Sequence, residues 1–126
     1  MTENELARMV FDLGLKVHKT LGPGLLESVY EECLVRELIE NNIEVERQKE
    51  IPIIYNDKLL STGFRVDIMI EKKLIIELKA IKEISDLHMA LLLTYLKLSN
   101  CKLGLVINFN SVLFKNGVRR IINGYL

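Results

Sequence analysis

Phe64-Arg65-Val66-Asp67-Ile68-Met69-Ile70, then Glu71-Lys72-Lys73, then Leu74-Ile75-Ile76-Glu77-Leu78-Lys79-Ala80 is the stretch that decides the fold. Two apolar, β-branched runs flank a charged triplet. This reads as a hairpin, with Gly63–Ile70 and Leu74–Ala80 as antiparallel strands on a three-residue loop. Alternation puts Phe64, Val66, Ile68 and Ile70 on one face and Arg65, Asp67 and Met69 on the other. On the second strand Glu77 and Lys79 share a face with Ile75. If Ile70 pairs with Leu74, Asp67 falls directly opposite Glu77, at a Cβ separation of about 4.5–5.5 Å.

Two carboxylates that close repel unless one is protonated or a cation sits between them. A solvated face carrying a plain Glu–Lys pair is the bland reading. The surrounding Leu74-Ile75-Ile76 and Leu78 oppose it, because they describe a strand buried on both faces, where charge is rare without a purpose. Asp67, Glu77 and the Leu78 backbone carbonyl make a hard-oxygen donor set suited to Mg²⁺ or Mn²⁺. A cation there polarises a phosphodiester and lowers the pKa of a bound water. Lys79 is placed to orient that water or to steady charge on phosphate.

Outward from the hairpin, the period changes twice. Leu6, Met9, Val10, Leu13 and Val17 predict an amphipathic helix from Glu3 to about Thr20, stopped by Leu21-Gly22-Pro23-Gly24. A second helix is expected from Leu25 to Glu40, with Leu26, Val29, Tyr30, Cys33, Leu34 and Leu38 on its apolar side. Gly24 as N-cap with Glu27 three residues on resembles a capping box, so Glu27 has a structural reading beside a metal or neighbouring role. Val45 to Tyr55 reads as extended, with Pro52 demanding a sheet edge or a bulge, and Asn56-Asp57 as a turn. After the hairpin, Ser85 caps a helix to Ser99, with Leu87, Ala90, Leu91, Thr94, Tyr95 and Leu98 on one face. Leu103 to Phe109 reads as a strand buried on both faces, reached by a right-handed parallel crossover. Val112 to Leu126 adds a short strand and a last helical turn. The expectation is one α/β domain, residues 1–126, with a mixed β-sheet flanked by helices.

Composition bounds the function. Hydrophobic residues make up 49% and charged residues 27% of the 126, which excludes disorder and a coiled rod. Lys+Arg and Asp+Glu are 17 each, so any contact with phosphate must come from a local patch. Cys33 and Cys101 lack metal-ligand companions and read as free thiols of a reducing compartment. No apolar run reaches the roughly 18 residues of a membrane helix, and no leader pattern opens the chain, so a cytoplasmic protein is the default.

Asp67, a spacer, and Glu77-Leu78-Lys79 on the next strand resemble the D…(D/E)xK motif of the PD-(D/E)xK nuclease superfamily. Gly24-Leu25-Leu26-Glu27-Ser28-Val29-Tyr30 resembles the motif that names its GxxExxY family. Gln48 before Glu50-Ile51-Pro52, Gly104 to Phe109, Gly117 and Arg119 extend the resemblance over about Leu15 to Asn123. It implies a restriction-endonuclease-like core and a nuclease cutting DNA or RNA. Asp67 and Glu77 would be its metal ligands, Lys79 its catalytic lysine and Glu27 a further acid from the helix. Val66 stands where the superfamily has Pro, and Leu91 stands where the family carries Gln, four residues before the retained Tyr95. The alternative is a catalytically weak or silent interaction module on the same fold.

Candidates for substrate contact are Lys72, Lys82, Tyr95 and Arg119, with Lys73, Lys115 and Arg120 as further members of a basic patch. A homodimer would join two such patches into one groove. Tyr30 is expected to pack. His88 reads as structural, and His18 as a cation favoured at a helix C-terminus.

Overall fold

The computed structural model describes all residues, Met1–Leu126. Helix α1 (Glu3–Leu21) opens with a capping box in which Thr2 and Glu5 satisfy each other's backbone amides. It closes at Gly22, whose φ of 73° suits glycine alone. Helix α2 (Glu27–Glu40) starts two residues later than periodicity suggests. Its N-cap is Leu26, with no side-chain cap bond, so the capping box expected of Gly24 and Glu27 does not form. Its buried side is Tyr30, Glu31, Leu34, Val35 and Leu38, while Leu26 and Val29 are exposed.

Strand β1 (Val45–Ile51) ends before Pro52 and is an edge strand, as a proline without an amide requires. The chain beyond it leaves the sheet. β2 (Ile54–Tyr55) and β3 (Lys58–Leu59) form a separate exposed hairpin on the Asn56-Asp57 turn, both of whose residues have positive φ. The expected single strand to Tyr55 is thus split in two. β4 (Phe64–Ile70) and β5 (Leu74–Lys79) pair antiparallel in the expected register, Ile70 with Leu74, on the expected three-residue turn. Helix α3 (Asp86–Ser99), capped by Ser85, leads to β6 (Leu103–Asn108), parallel to β5 and buried throughout. A short 3₁₀ turn (Phe114–Gly117) precedes β7 (Val118–Ile122), which pairs antiparallel with β6. The sheet order is β1-β4-β5-β6-β7.

α1 and α2 cover one face of the sheet over a core of 19 buried residues, among them Ile68, Ile70, Ile76, Leu78 and Ile107. α3 covers the other face over eight, among them Val66, Met69, Ile75, Leu92 and Val106. It sits close on β6: a side chain at Gly104 would meet Leu92 at 2.9 Å. Only Leu92 and Leu96 of α3 are fully buried, whereas Leu87, Ala90, Leu91, Thr94 and Leu98 of the expected apolar face are exposed. The helix is apolar almost all round, so periodicity could not say which side meets the sheet.

Candidate active site

The sheet is regular up to Ile68 and breaks at Asp67. The β4–β5 ladder runs from Ile70↔Leu74 to Ile68↔Ile76 and stops. On the other side, the β1–β4 ladder keeps one register from Val45↔Ile70 to Ile51↔Phe64 but skips Gln48, the residue opposite Asp67. Gln48 has φ 48°, an unusual conformation for a non-glycine residue in a strand. The face alternation changes hand at the same place. Ile68 and Ile70 lie in the larger core, but Val66 lies with Met69 in the smaller one, and Phe64 packs there too. The simple alternation of Phe64, Val66, Ile68 and Ile70 is therefore wrong. The positive φ at Gln48 and the lapse of both ladders at Asp67 account for it.

Side chains replace the missing ladder bonds. The Leu78 amide donates to Asp67 Oδ2 at 2.8 Å. The Asp67 amide donates to Glu77 Oε1 at 3.4 Å. The two carboxylates thus reach past each other to the opposite strand's backbone, facing one another as the register predicts. In a strand, a residue's amide and carbonyl point to the same neighbour. The Leu78 carbonyl therefore points into the same gap as the amide that Asp67 accepts.

Electrostatics mark the spot. Burial, and next the charge of Asp67, push the Glu77 carboxyl up from 4.5 to about 8, with Lys79 opposing the shift. Lys79 is half-buried, and its side chain makes no ion pair or hydrogen bond. Tyr95 stacks on Phe64 with ring centroids 4.2 Å apart. Its hydroxyl is shifted up by burial and then by the charges of Glu77 and Asp67, so it borders the site.

Sequence reading missed Glu31. It is buried on α2, pairs with Arg47 at 2.9 Å and accepts from Gln48 Nε2 at 2.7 Å. Gln48 Nε2 also reaches Asp67 Oδ1 at 3.5 Å. A carboxylate on α2 is thus connected to the site, but through Gln48, and it stands one turn beyond Glu27. The signal available was the apolar stripe of α2, in which Glu31 sits next to Tyr30 as a charge on a buried face.

The remaining candidates divide. Glu27 is exposed on the first turn of α2, and its side chain makes no hydrogen bond. Its neighbours in the motif are structural. The Tyr30 hydroxyl donates to the Gly22 carbonyl at 2.6 Å, its ring stacks on Phe109, and the Gly24 amide donates to Asn110 Oδ1. The Asn110 amide in turn donates to Asn108 Oδ1 at 3.2 Å. Asn108 is paired with Lys79 in the sheet, so the start of α2 is tied to the Lys79 end of β5. Lys72 stands in the hairpin turn, three or more residues from Asp67. At about 3.3 Å per residue that is roughly 10 Å or more along the strand. Lys82 and Arg119 meet elsewhere, beyond Lys79, and line one small cavity. Lys73 binds the Met1 carbonyl, and Arg120 binds Asn4. His88 completes the cap of α3 with Ser85. His18, in the last turn of α1, is buried, lies against Phe109 and Phe114, and donates through Nε2 to the Ser111 carbonyl at 2.7 Å.

A profile of the PD-(D/E)XK nuclease superfamily matches residues 4–121. The chain belongs to this superfamily. PD-(D/E)XK membership points to nuclease-type chemistry, and the five-stranded mixed sheet with three helices is a restriction-endonuclease-like α/β fold. The crystal structure of SSO0001 superposes with a TM-score of 0.52 at 23% identity, over 79% of this chain and 50% of that one. At that identity the likeness concerns the fold, and the chain spans about half the length of that protein. No curated protein is similar enough to the sequence to count as a relative. No three Asp, Glu, His or Cys side chains converge on one point.

Proposed function

We propose that the chain is a divalent-metal-dependent nuclease that hydrolyses phosphodiester bonds in DNA or RNA. Asp67, Glu77 and the Leu78 carbonyl would hold Mg²⁺ or Mn²⁺, and Lys79 would be the catalytic lysine. One observation carries the reading. The sheet gives up its ladder bonds on both sides of Asp67, and a buried carboxylate beside it is held up at about 8 by desolvation and by Asp67. Such a pair fits a cation that neutralises both groups. The donors fit a hard ion that keeps several waters, since Mg²⁺ is typically held by one or two carboxylates.

Bound there, the cation would supply Lewis acidity and a water of lowered pKa. Asp67 is held through Oδ2 by the Leu78 amide. Glu31 and Gln48 brace it from the other side. Lys79, without an internal partner, is free to hold the attacking water or a phosphate oxygen. Tyr95 borders the site where substrate would lie, and Glu27 would act only as a further acid from the first turn of α2. The finer placement in the GxxExxY group rests on Gly24, Glu27 and Tyr30. A cytoplasmic location fits the two free thiols, and no helix is long and apolar enough to cross a membrane.

The second reading, a silent interaction module, is favoured by the exposed Leu87, Leu91 and Leu98 on α3. Cleavage of a mixed DNA and RNA panel with Mg²⁺ or Mn²⁺ separates the two. Cutting by wild type, abolished by chelator and by Asp67→Ala, is expected. Cutting that survives Asp67→Ala removes the nuclease assignment from this site, and no cutting of any substrate favours the module.

A further inference from the structure

Beyond the catalytic lysine the chain builds a second polar site that the reaction chemistry does not use. Asn108, paired with Lys79, accepts the Ile81 amide at 3.1 Å and donates to the Ile81 carbonyl at 2.9 Å. This ties down the segment that carries Lys82. Gly117 comes so near that a side chain on it would strike the Asn108 carbonyl and the Ser111 hydroxyl. Between these segments lies a cavity of about 190 Å³, lined by Lys82, Ser111, Asn116 and Arg119 among others. That is below the roughly 300–1,000 Å³ of pockets for drug-sized ligands and suits a small ion.

The donors are uncommitted. The side chains of Lys82, Ser111 and Asn116 make no hydrogen bond, and Lys82 and Arg119 make no ion pair. Arg119 spends one guanidinium nitrogen on the Asn116 and Val118 carbonyls, which orients the rest of its fork. Glu83 is the one carboxylate in the lining. Two cations against it, with a hydroxyl and an amide, leave a net positive cavity of the kind that binds phosphate. It lies outside the C-terminal ends of the parallel pair β5 and β6, where open α/β sheets commonly place ligands. Lys82 is three residues past Lys79, at most about 10 Å along the chain.

We propose that this cavity is a phosphoryl-anion subsite, which takes a phosphate of the nucleic acid neighbouring the one at Asp67 and Glu77. The assignment of that phosphate to a substrate rests on the nuclease reading; the anion site itself does not. The test is a titration of the ¹⁵N-labelled full chain with inorganic phosphate in chelator, at constant ionic strength. Saturable amide shifts at Lys82, Ser111, Asn116 and Gly117 are expected. They should weaken at least tenfold in Lys82→Ala/Arg119→Gln and persist in Glu77→Ala. Lys82→Ala alone, at an exposed side chain without partners, should give a smaller loss and guards against misfolding of the double variant. Scattered shifts, or shifts indifferent to both variants, overturn the proposal.

Oligonucleotides with and without a 5′-phosphate then separate the sources. A preference for the phosphorylated end, lost in the double variant, assigns a terminal monoester. Equal weakening of both, with the salt slope reduced by roughly one per lost contact, assigns a backbone diester. Unchanged binding of both overturns the subsite's role with substrate. Phosphate binding without any cutting would leave the anion site standing and the nuclease reading refuted; cutting without phosphate binding would do the reverse.

Discussion

The two faces of the central sheet are built on different terms. Under α1 and α2, 19 buried residues close on one another, and under α3 only eight do. Strand β5 serves both. Ile76 and Leu78 enter the larger core and Ile75 the smaller, and Glu77 and Lys79 follow Ile75 by alternation. The thick face supplies the burial that holds the sheet together. The thin face can therefore carry two opposed carboxylates and an unpaired ammonium, and can lose ladder bonds at Asp67. Stability and chemistry are divided between the two sides of one strand.

Substitutions on the two sides should separate accordingly. The largest loss of stability is expected on the thick face: Ile76→Ala should cost about 2–5 kcal/mol in urea unfolding, the range for a fully buried aliphatic side chain. A loss below 1 kcal/mol would mean that the larger core does not carry the fold. Three residues along the strand, Lys79→Ala should change unfolding by only about 0.5 kcal/mol. It should still slow cleavage by about 10²–10³-fold, the scale for removing one group that stabilises developing charge.

Gln48 sharpens the contrast further. Gln48→Gly relieves the positive φ, so stability should hold or rise by up to about 1 kcal/mol. Metal affinity should fall about 10–100-fold as Asp67 loses its brace, and Gln48→Glu, which replaces the donating amide with a third carboxylate beside Glu31 and Asp67, should not restore it. Equal affinity in wild type and Gln48→Gly would show that Gln48 and Glu31 are structural only.

A further contrast is one of pH. The folded-state value of Glu77, about 8, lies above its ordinary 4.5, so the folded chain holds the extra proton between them. The stability associated with that proton is whole below about pH 4.5 and is gone once the pH has risen through about 8. Glu77→Gln should therefore gain on wild type across that window in metal-free thermal melts, and no further above it. A constant offset between the two proteins would contradict the burial of this charge.

Much of this was legible in the sequence, for reasons that differ by residue. The hairpin register followed from the Glu71-Lys72-Lys73 loop and two strongly apolar runs, so the juxtaposition of Asp67 and Glu77 was readable in advance. The edge position of β1 followed from Pro52. The break at Asp67 was not readable, because it depends on Gln48 adopting a left-handed backbone that no local residue type demands. Glu31 was missed because its partners, Arg47 and Gln48, lie on another element. Helix α3 misled because residues such as Leu87, Leu91 and Leu98 look like core, while the sheet has room only for Leu92 and Leu96. Lys82 and Arg119 are far apart in the chain, and only the pairing of β5, β6 and β7 brings them to one cavity.

The central claim is that Asp67 and Glu77 share a cation. Its most direct test is Mn²⁺ calorimetry at pH 7 in buffers of different ionisation enthalpy, for wild type and Glu77→Ala. Because Glu77 is held near 8, binding to wild type should release close to one proton per ion, a release that should vanish well above pH 8. Glu77→Ala should lose both the binding and the proton. Binding that is absent in wild type, or unchanged in Glu77→Ala, would contradict the account.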